Sequence, residues 1–175
     1  MVHLQMRLPS LEQLPPIPEL PSGYVLREYK ESDLNGLVSV LDRAFDDVEW
    51  SPETVRERLI DAPDVKKTYV IVHGDTLVAT ASARILPEEF PDSGYLHWVG
   101  VDPDYRGKEL GRAVTLAVLH EFVRLGCKNA VLETQDHRLA AIKVYKKLGF
   151  EEHHVHESHL LRWAAIADML ASVNL

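Results

Sequence analysis

Cysteine is nearly absent: Cys127 stands alone in 175 residues. A single thiol excludes an internal disulfide and makes a reducing cytoplasm the expected compartment. Long apolar runs are missing too. None approaches the ~18 residues that a membrane span requires, so no membrane partner is expected. Met1 to Ser10 lacks the basic-then-apolar order of a secretory leader. An excess of positive charge is also missing, since 19 Lys and Arg face 27 Asp and Glu for a formal net charge of -8. Phosphate binding on a large scale rests on clustered cations, so a dedicated nucleic-acid binder is not expected. What is present is ordinary for a globular protein, with 46% hydrophobic and 26% charged residues. The length fits one domain with a real core.

Residues 8–23, "LPSLEQLPPIPELPSG", hold five of the ten prolines. Proline removes a backbone donor and fixes φ, so the stretch is neither helix nor central strand. Residues 1–22 are therefore expected to be an extended arm lying along its own domain, with docking to a partner as the alternative. Residues 23–155 read as one α/β domain and 156–175 as a C-terminal helix. Tyr24 to Glu28 has strand character, and Leu34, Leu37, Val38, Leu41 and Phe45 follow helical spacing. "SPET" at 51–54 offers a serine N-cap before a proline at the first helical position. "TYVIVHGDTLVATASARI" is two strands joined by Gly74-Asp75, which suits a type II′ hairpin.

Gly94 to Val101 reads as a strand ended by Asp102-Pro103, because the residue before proline is pushed out of helical space. A well-buried helix is expected from about Lys108 to Leu125, with Gly126 as its stop. Asn129 to Gln135 is the next strand, "HRLAAIKVYKKLG" a shorter helix, and Phe150 to Val155 a last strand.

The passage "VDPDYRGKELGRAV" at 101–114 is therefore strand, tight turn and helix N-terminus. Orphan N–H groups and the helix dipole make such a junction a general anion site. Neither G-x-G-x-x-G nor a Gly-Lys-Ser/Thr loop is present. From the residues alone, Gly107 and Gly111 equally well serve a turn and a close approach.

Two motifs add to this reading. Arg106-Gly107-Lys108-Glu109-Leu110-Gly111 follows the strand, within the stretch "HWVGVDPDYRGKELGRAVTLAVL" that ends at Leu119, and Ala141-Ile142-Lys143-Val144-Tyr145-Lys146-Lys147-Leu148-Gly149-Phe150 follows about 25 residues after that stretch. Together they resemble the signature of the GNAT superfamily of coenzyme A-dependent N-acetyltransferases, over residues 24–155. Within the superfamily the wording is most like that of mycothiol-synthase-type members.

The resemblance implies a mixed, mostly antiparallel sheet of six to seven strands with helices on both faces. It also implies a splay between the fourth and fifth strands, counted from Tyr24. Acetyl-CoA is the implied cosubstrate, with no metal. Its pyrophosphate would lie on N–H groups between Arg106 and Arg112, through Gly107, Lys108, Glu109, Leu110 and Gly111. Val99, Gly100 and Val101 would line the pantetheine and thioester, and Arg138 stands where many members carry an asparagine near the pantetheine. Tyr145 takes the place of the general acid that protonates the leaving thiolate.

His97 matches a histidine that arylalkylamine N-acetyltransferases use to draw off protons. Strand alternation places Tyr95, His97 and Val99 on one face. His97 is the one of these that titrates near neutral pH, and base and buried structural histidine stay open as roles. Tyr95 is the fallback acceptor contact. Glu109 departs from the first signature glycine. In the first helical turn it is expected to have ordinary helical φ and ψ, and to weaken coenzyme binding without abolishing it.

The expected function is acetyl transfer to a primary amine, on a small molecule or a peptide. The alternative is a non-catalytic acyl-CoA-binding sensor. Monomer and homodimer both fit. His153, His154, His156 and His159 cluster, but without a fixed acid or cysteine among them no metal is expected. "HEFVR" at 120–124 lacks the second histidine of a zincin helix. Cys127 sits at a helix C-terminus, where the dipole disfavours a thiolate.

Overall fold

The computed structural model describes residues 2–172. Seven strands form one sheet: β1 (Leu4–Leu8), β2 (Tyr24–Glu28), β3 (Val65–His73), β4 (Thr76–Arg84), β5 (Ser93–Val101), β6 (Asn129–Thr134) and β7 (Glu151–His153). Their order is β2-β3-β4-β5-β6-β1-β7. Every neighbouring pair is antiparallel except β5–β6. A parallel pair needs a crossover, and α3 (Leu110–Arg124) supplies it.

The hairpin turn falls where its sequence demands. Gly74 has φ +59° and Asp75 is not among the positive-φ residues, which is the type II′ pattern. Helix α1 (Leu34–Ala44) and α2 (Pro52–Val55), the latter running on as a π-helical turn over Arg56–Ile60, cover one face. Ser51 caps α2 by accepting from the Thr54 N–H at 3.2 Å. Leu37, Leu41, Phe45, Trp50 and Leu59 form the core there, against Val70 and Leu77. Helices α3, α4 (Leu139–Lys147) and α5 (His159–Ser172) share the larger core on the other face. Gly94 sits under α3, where a Cβ would stand 2.2 Å from Phe122 Cγ. Only glycine permits that approach.

Strand β1 comes from residues that sequence reading leaves in the arm. Leu4, Met6 and Leu8 alternate into the larger core, and β1 bonds β6 on one side and β7 on the other. The proline-rich stretch then crosses α3. Leu11 donates to the Lys128 carbonyl at 3.1 Å, and His120 Nε2 lies 3.0 Å from the Pro15 carbonyl. The expected last strand shortens to three residues, Glu151–His153, paired with Arg7, Met6 and Gln5 of β1. Among the described residues no helix is long and apolar enough to cross a membrane.

Candidate active site

The site begins where β5 and β6 part. Their ladder runs from Ser93↔Asn129 to Leu96↔Leu132 and stops, leaving Val99, Gly100 and Val101 without a neighbour on that side. A bulge in β5 aims them. Thr80 pairs with Gly100 but Ser82 pairs with His97, so β5 carries one extra residue, and Trp98 takes φ +47°. The bulge breaks alternation. Val99 packs on the α3 face while Trp98 joins the α1–α2 face, so Val99 does not share a face with Tyr95 and His97 as simple alternation predicts. Beyond the bulge, Asp102 donates to the Val78 carbonyl at 2.9 Å. By alternation Val99 and Val101 then direct their N–H groups away from β4 and into the gap.

The turn after β5 is held from both ends. The Asp102 side chain accepts from the Asp104 N–H at 2.9 Å, and Arg43 of α1 grips Asp102 at 2.8 Å and Asp104 at 2.6 Å. Gly107 has φ +79°, as its residue type suits. Helix α3 starts only at Leu110, with Glu109 as N-cap at φ +56°, ψ +16°. The sequence expectation of ordinary helical dihedrals for Glu109 is thus wrong. A left-handed position ordinarily asks for glycine.

Among the described residues, the N–H groups of Gly107, Lys108 and Glu109 meet no backbone carbonyl outside the helix ladder. Those of Leu110, Gly111 and Arg112 belong to a first helical turn, which has no intrahelical acceptor to offer them. The Glu109 carboxylate leans to Arg112 at 3.3 Å rather than standing free. Arg106 is exposed beside it.

Tyr145, on α4, is 6% exposed and tilted against Phe150 at 5.8 Å. Burial pushes its phenol up, so it stays protonated. His97 lines a cleft of about 610 Å³ with Arg58, Asp64, Arg84 and Trp98. Burial first, then the Arg84 charge, pushes its imidazole down to about 3. It is neutral throughout the physiological range.

Tyr95, on the same face, donates to Glu133 Oε2 at 3.1 Å. Glu133 is the first residue of β6 past the last β5 pair, and its side chain is 36% exposed. Arg138 is at the N-cap of α4, beside the end of β6. Its guanidinium donates to Gln135 Oε1 at 2.9 Å, the Ala44 carbonyl at 3.3 Å and Asp47 at 3.3 Å. It also lies 4.4 Å from the Phe45 ring centre.

A diverging parallel pair, a free-N–H turn and a buried tyrosine thus occur together. Residues 34–150 match the family model described as "Acetyltransferase (GNAT) family". The chain belongs to the GNAT acetyltransferases. It is 33% identical over 165 residues to a mycothiol acetyltransferase of Saccharomonospora viridis, covering 85% of this chain and 52% of that protein. The corresponding protein of Nocardia farcinica is 34% identical over 155 residues, covering 81% and 50%. The chain thus spans about half the length of the curated relatives it matches. A crystal structure of a GNAT-family acetyltransferase from Novosphingobium aromaticivorans shares the fold, with TM-score 0.62, 22% identity, and 86% and 59% of the two chains covered.

Two features of this GNAT site escape sequence reading. Glu133 directly follows the apolar run Ala130–Leu132 of β6, where a carboxylate is the available signal. The Arg138 contacts with Asp47 join residues 91 apart and leave no local trace. Within the histidine cluster, His153 Nδ1 lies 2.6 Å from Gln5 Oε1, and the buried His159 stays beside His156, ring centres 5.9 Å apart. No group of three potential metal ligands occurs among the described residues.

Proposed function

We propose that this GNAT domain transfers an acetyl group from acetyl-CoA to a primary amine by direct attack. The observation that carries the reading is the junction of the strand gap with the free N–H groups of residues 107–112. A pyrophosphate on the turn and a pantetheine arm in the gap satisfy backbone groups that the protein itself leaves unpaired. Arg106 adds positive charge at the turn. Arg112 also holds Glu109, which lowers the repulsion that the carboxylate offers to phosphate.

Each residue then has a chemical task. The Val99 and Val101 N–H groups receive the thioester oxygen as the amine nitrogen attacks the carbonyl carbon and the oxygen gains charge. The carbon–sulfur bond breaks as the intermediate collapses, and Tyr145 gives its proton to the departing thiolate. Glu133, fixed by Tyr95, takes the proton that the amine loses. His97 stays neutral and accepts a hydrogen bond from the acceptor in the cleft. The lone Cys127, half-buried and with its thiol pushed up by burial, fits a reducing cytoplasm and takes no part.

Thiol release from acetyl-CoA across a panel of primary amines, with the product identified by mass, tests the reading. One or more amines should give saturable release and a product heavier by one acetyl group. Silence across the panel with acetyl-CoA still bound would favour a non-catalytic acyl-CoA sensor.

A further inference from the structure

The gap between β5 and β6 has a roof on its α1 side, and one short segment makes it. Ala44 and Phe45, at the end of α1, press on the β5 bank. A Cβ on Gly100 would stand 3.1 Å from both Ala44 Cβ and Phe45 Cε2, and the Phe45 ring meets Trp98 edge-on at 5.0 Å. Asp47, two residues on, is tied to the opposite bank. Gln135 Nε2 donates to it at 2.9 Å, and Arg138 Nη2 lies 3.3 Å away. Arg138 also reaches the Ala44 carbonyl and stacks on Phe45. The segment 44–47 therefore spans both banks, by apolar contact on one side and by charge on the other.

Resting on the reading that the pantetheine occupies this gap, we infer that Asp47 and Arg138 are positioning residues that latch the 44–47 corner across it. The latch keeps the thioester against the Val99 and Val101 N–H groups and keeps water from it. The bonds are on the wet side of the corner: the Asp47 side chain is 39% exposed and that of Arg138 19%. A contact of this kind breaks and reforms without unpacking the aromatic core. It thus governs how fast the coenzyme leaves more than how well the domain folds. Arg138 has a second anchor further back. Asp136, two residues before it, is held by Arg162 of α5 at 2.9 Å, so the loop carrying Gln135 and Arg138 is anchored to the body of the domain.

The test is the dissociation rate of acetyl-CoA from the full chain, followed by stopped-flow tryptophan fluorescence. Trp98 and Trp50 report because they lie against Phe45 at 5.0 and 6.4 Å. Asp47→Ala and Arg138→Ala should each raise the rate roughly 5-fold, the size of one partly exposed charge-assisted contact. The double variant should add little further, and Asp47→Glu should recover part of the loss. Acetyl-CoA hydrolysis without an amine should rise in the same variants. An unchanged rate in Asp47→Ala of wild-type melting temperature overturns the latch, as do single effects that multiply in the double variant. Failure of the wild-type chain to bind acetyl-CoA at all instead overturns the functional reading, and the latch falls with it.

Discussion

At the scale of single residues, Tyr145, Glu109 and His97 carry separable predictions. Tyr145→Phe removes the acidic proton and keeps the ring against Phe150. Turnover should fall ~10²-fold with acetyl-CoA affinity unchanged, as steady-state rates and calorimetry would show. Unaffected turnover would remove Tyr145 from the role of acid. Glu109→Gly relieves a left-handed backbone and deletes a carboxylate from the anion site. It should raise stability by about 0.5–1 kcal/mol in urea unfolding and tighten acetyl-CoA binding. Looser binding would mean that the carboxylate serves the site through Arg112.

His97 is held below its ordinary value of 6.5, at about 3. The unfolded chain therefore binds a proton that the folded one refuses. Its contribution is present above pH 6.5 and is lost as pH falls from there toward 3. His97→Gln should flatten that part of the stability–pH curve. An identical acid limb in the variant would contradict the burial account.

At the scale of elements, the glycine-stopped α3, the hairpin and the motif-bearing α4 are legible locally. Each rests on neighbours within a few residues: Gly126 after α3, Gly74-Asp75 in the turn, and apolar spacing in α4. What is not legible depends on distant partners. Leu4, Met6 and Leu8 alternate as a strand should, yet the pairing that makes β1 one is Leu4↔Thr134. The bulge at Trp98 depends on register with β4, and it overrides the simple alternation that would put Val99 beside His97. Glu109 shows the same limit at a helix boundary: a start one or two residues later turned a first-turn residue into a left-handed cap. Gly94 offers the element-scale test. Gly94→Ala places a methyl into Phe122 and should destabilise the domain by ~2 kcal/mol by forcing α3 off the sheet. A neutral effect would mean that α3 shifts freely, against the dense packing of its buried face.

At the scale of the whole molecule, the proposed function asks an acidic chain to bind a strongly anionic coenzyme by local means. The net charge of -8 repels phosphate, while Arg106, Arg112 and the backbone N–H groups of residues 107–112 would attract it. Both sides of the sheet contribute. The α3 face supplies Tyr145 and the turn, and the α1–α2 face supplies the 44–47 corner, His97 and the cleft that would admit an acceptor. The central claim is that the amine attacks the thioester directly, with Tyr145 protonating the thiolate. Rapid mixing with acetyl-CoA, with and without an accepting amine, tests it most directly by following thiol release in the first turnover. The account predicts no burst without amine, release that depends on amine concentration, and a slower first turnover in Tyr145→Phe. A stoichiometric burst without amine, accompanied by an acetylated protein, would contradict it.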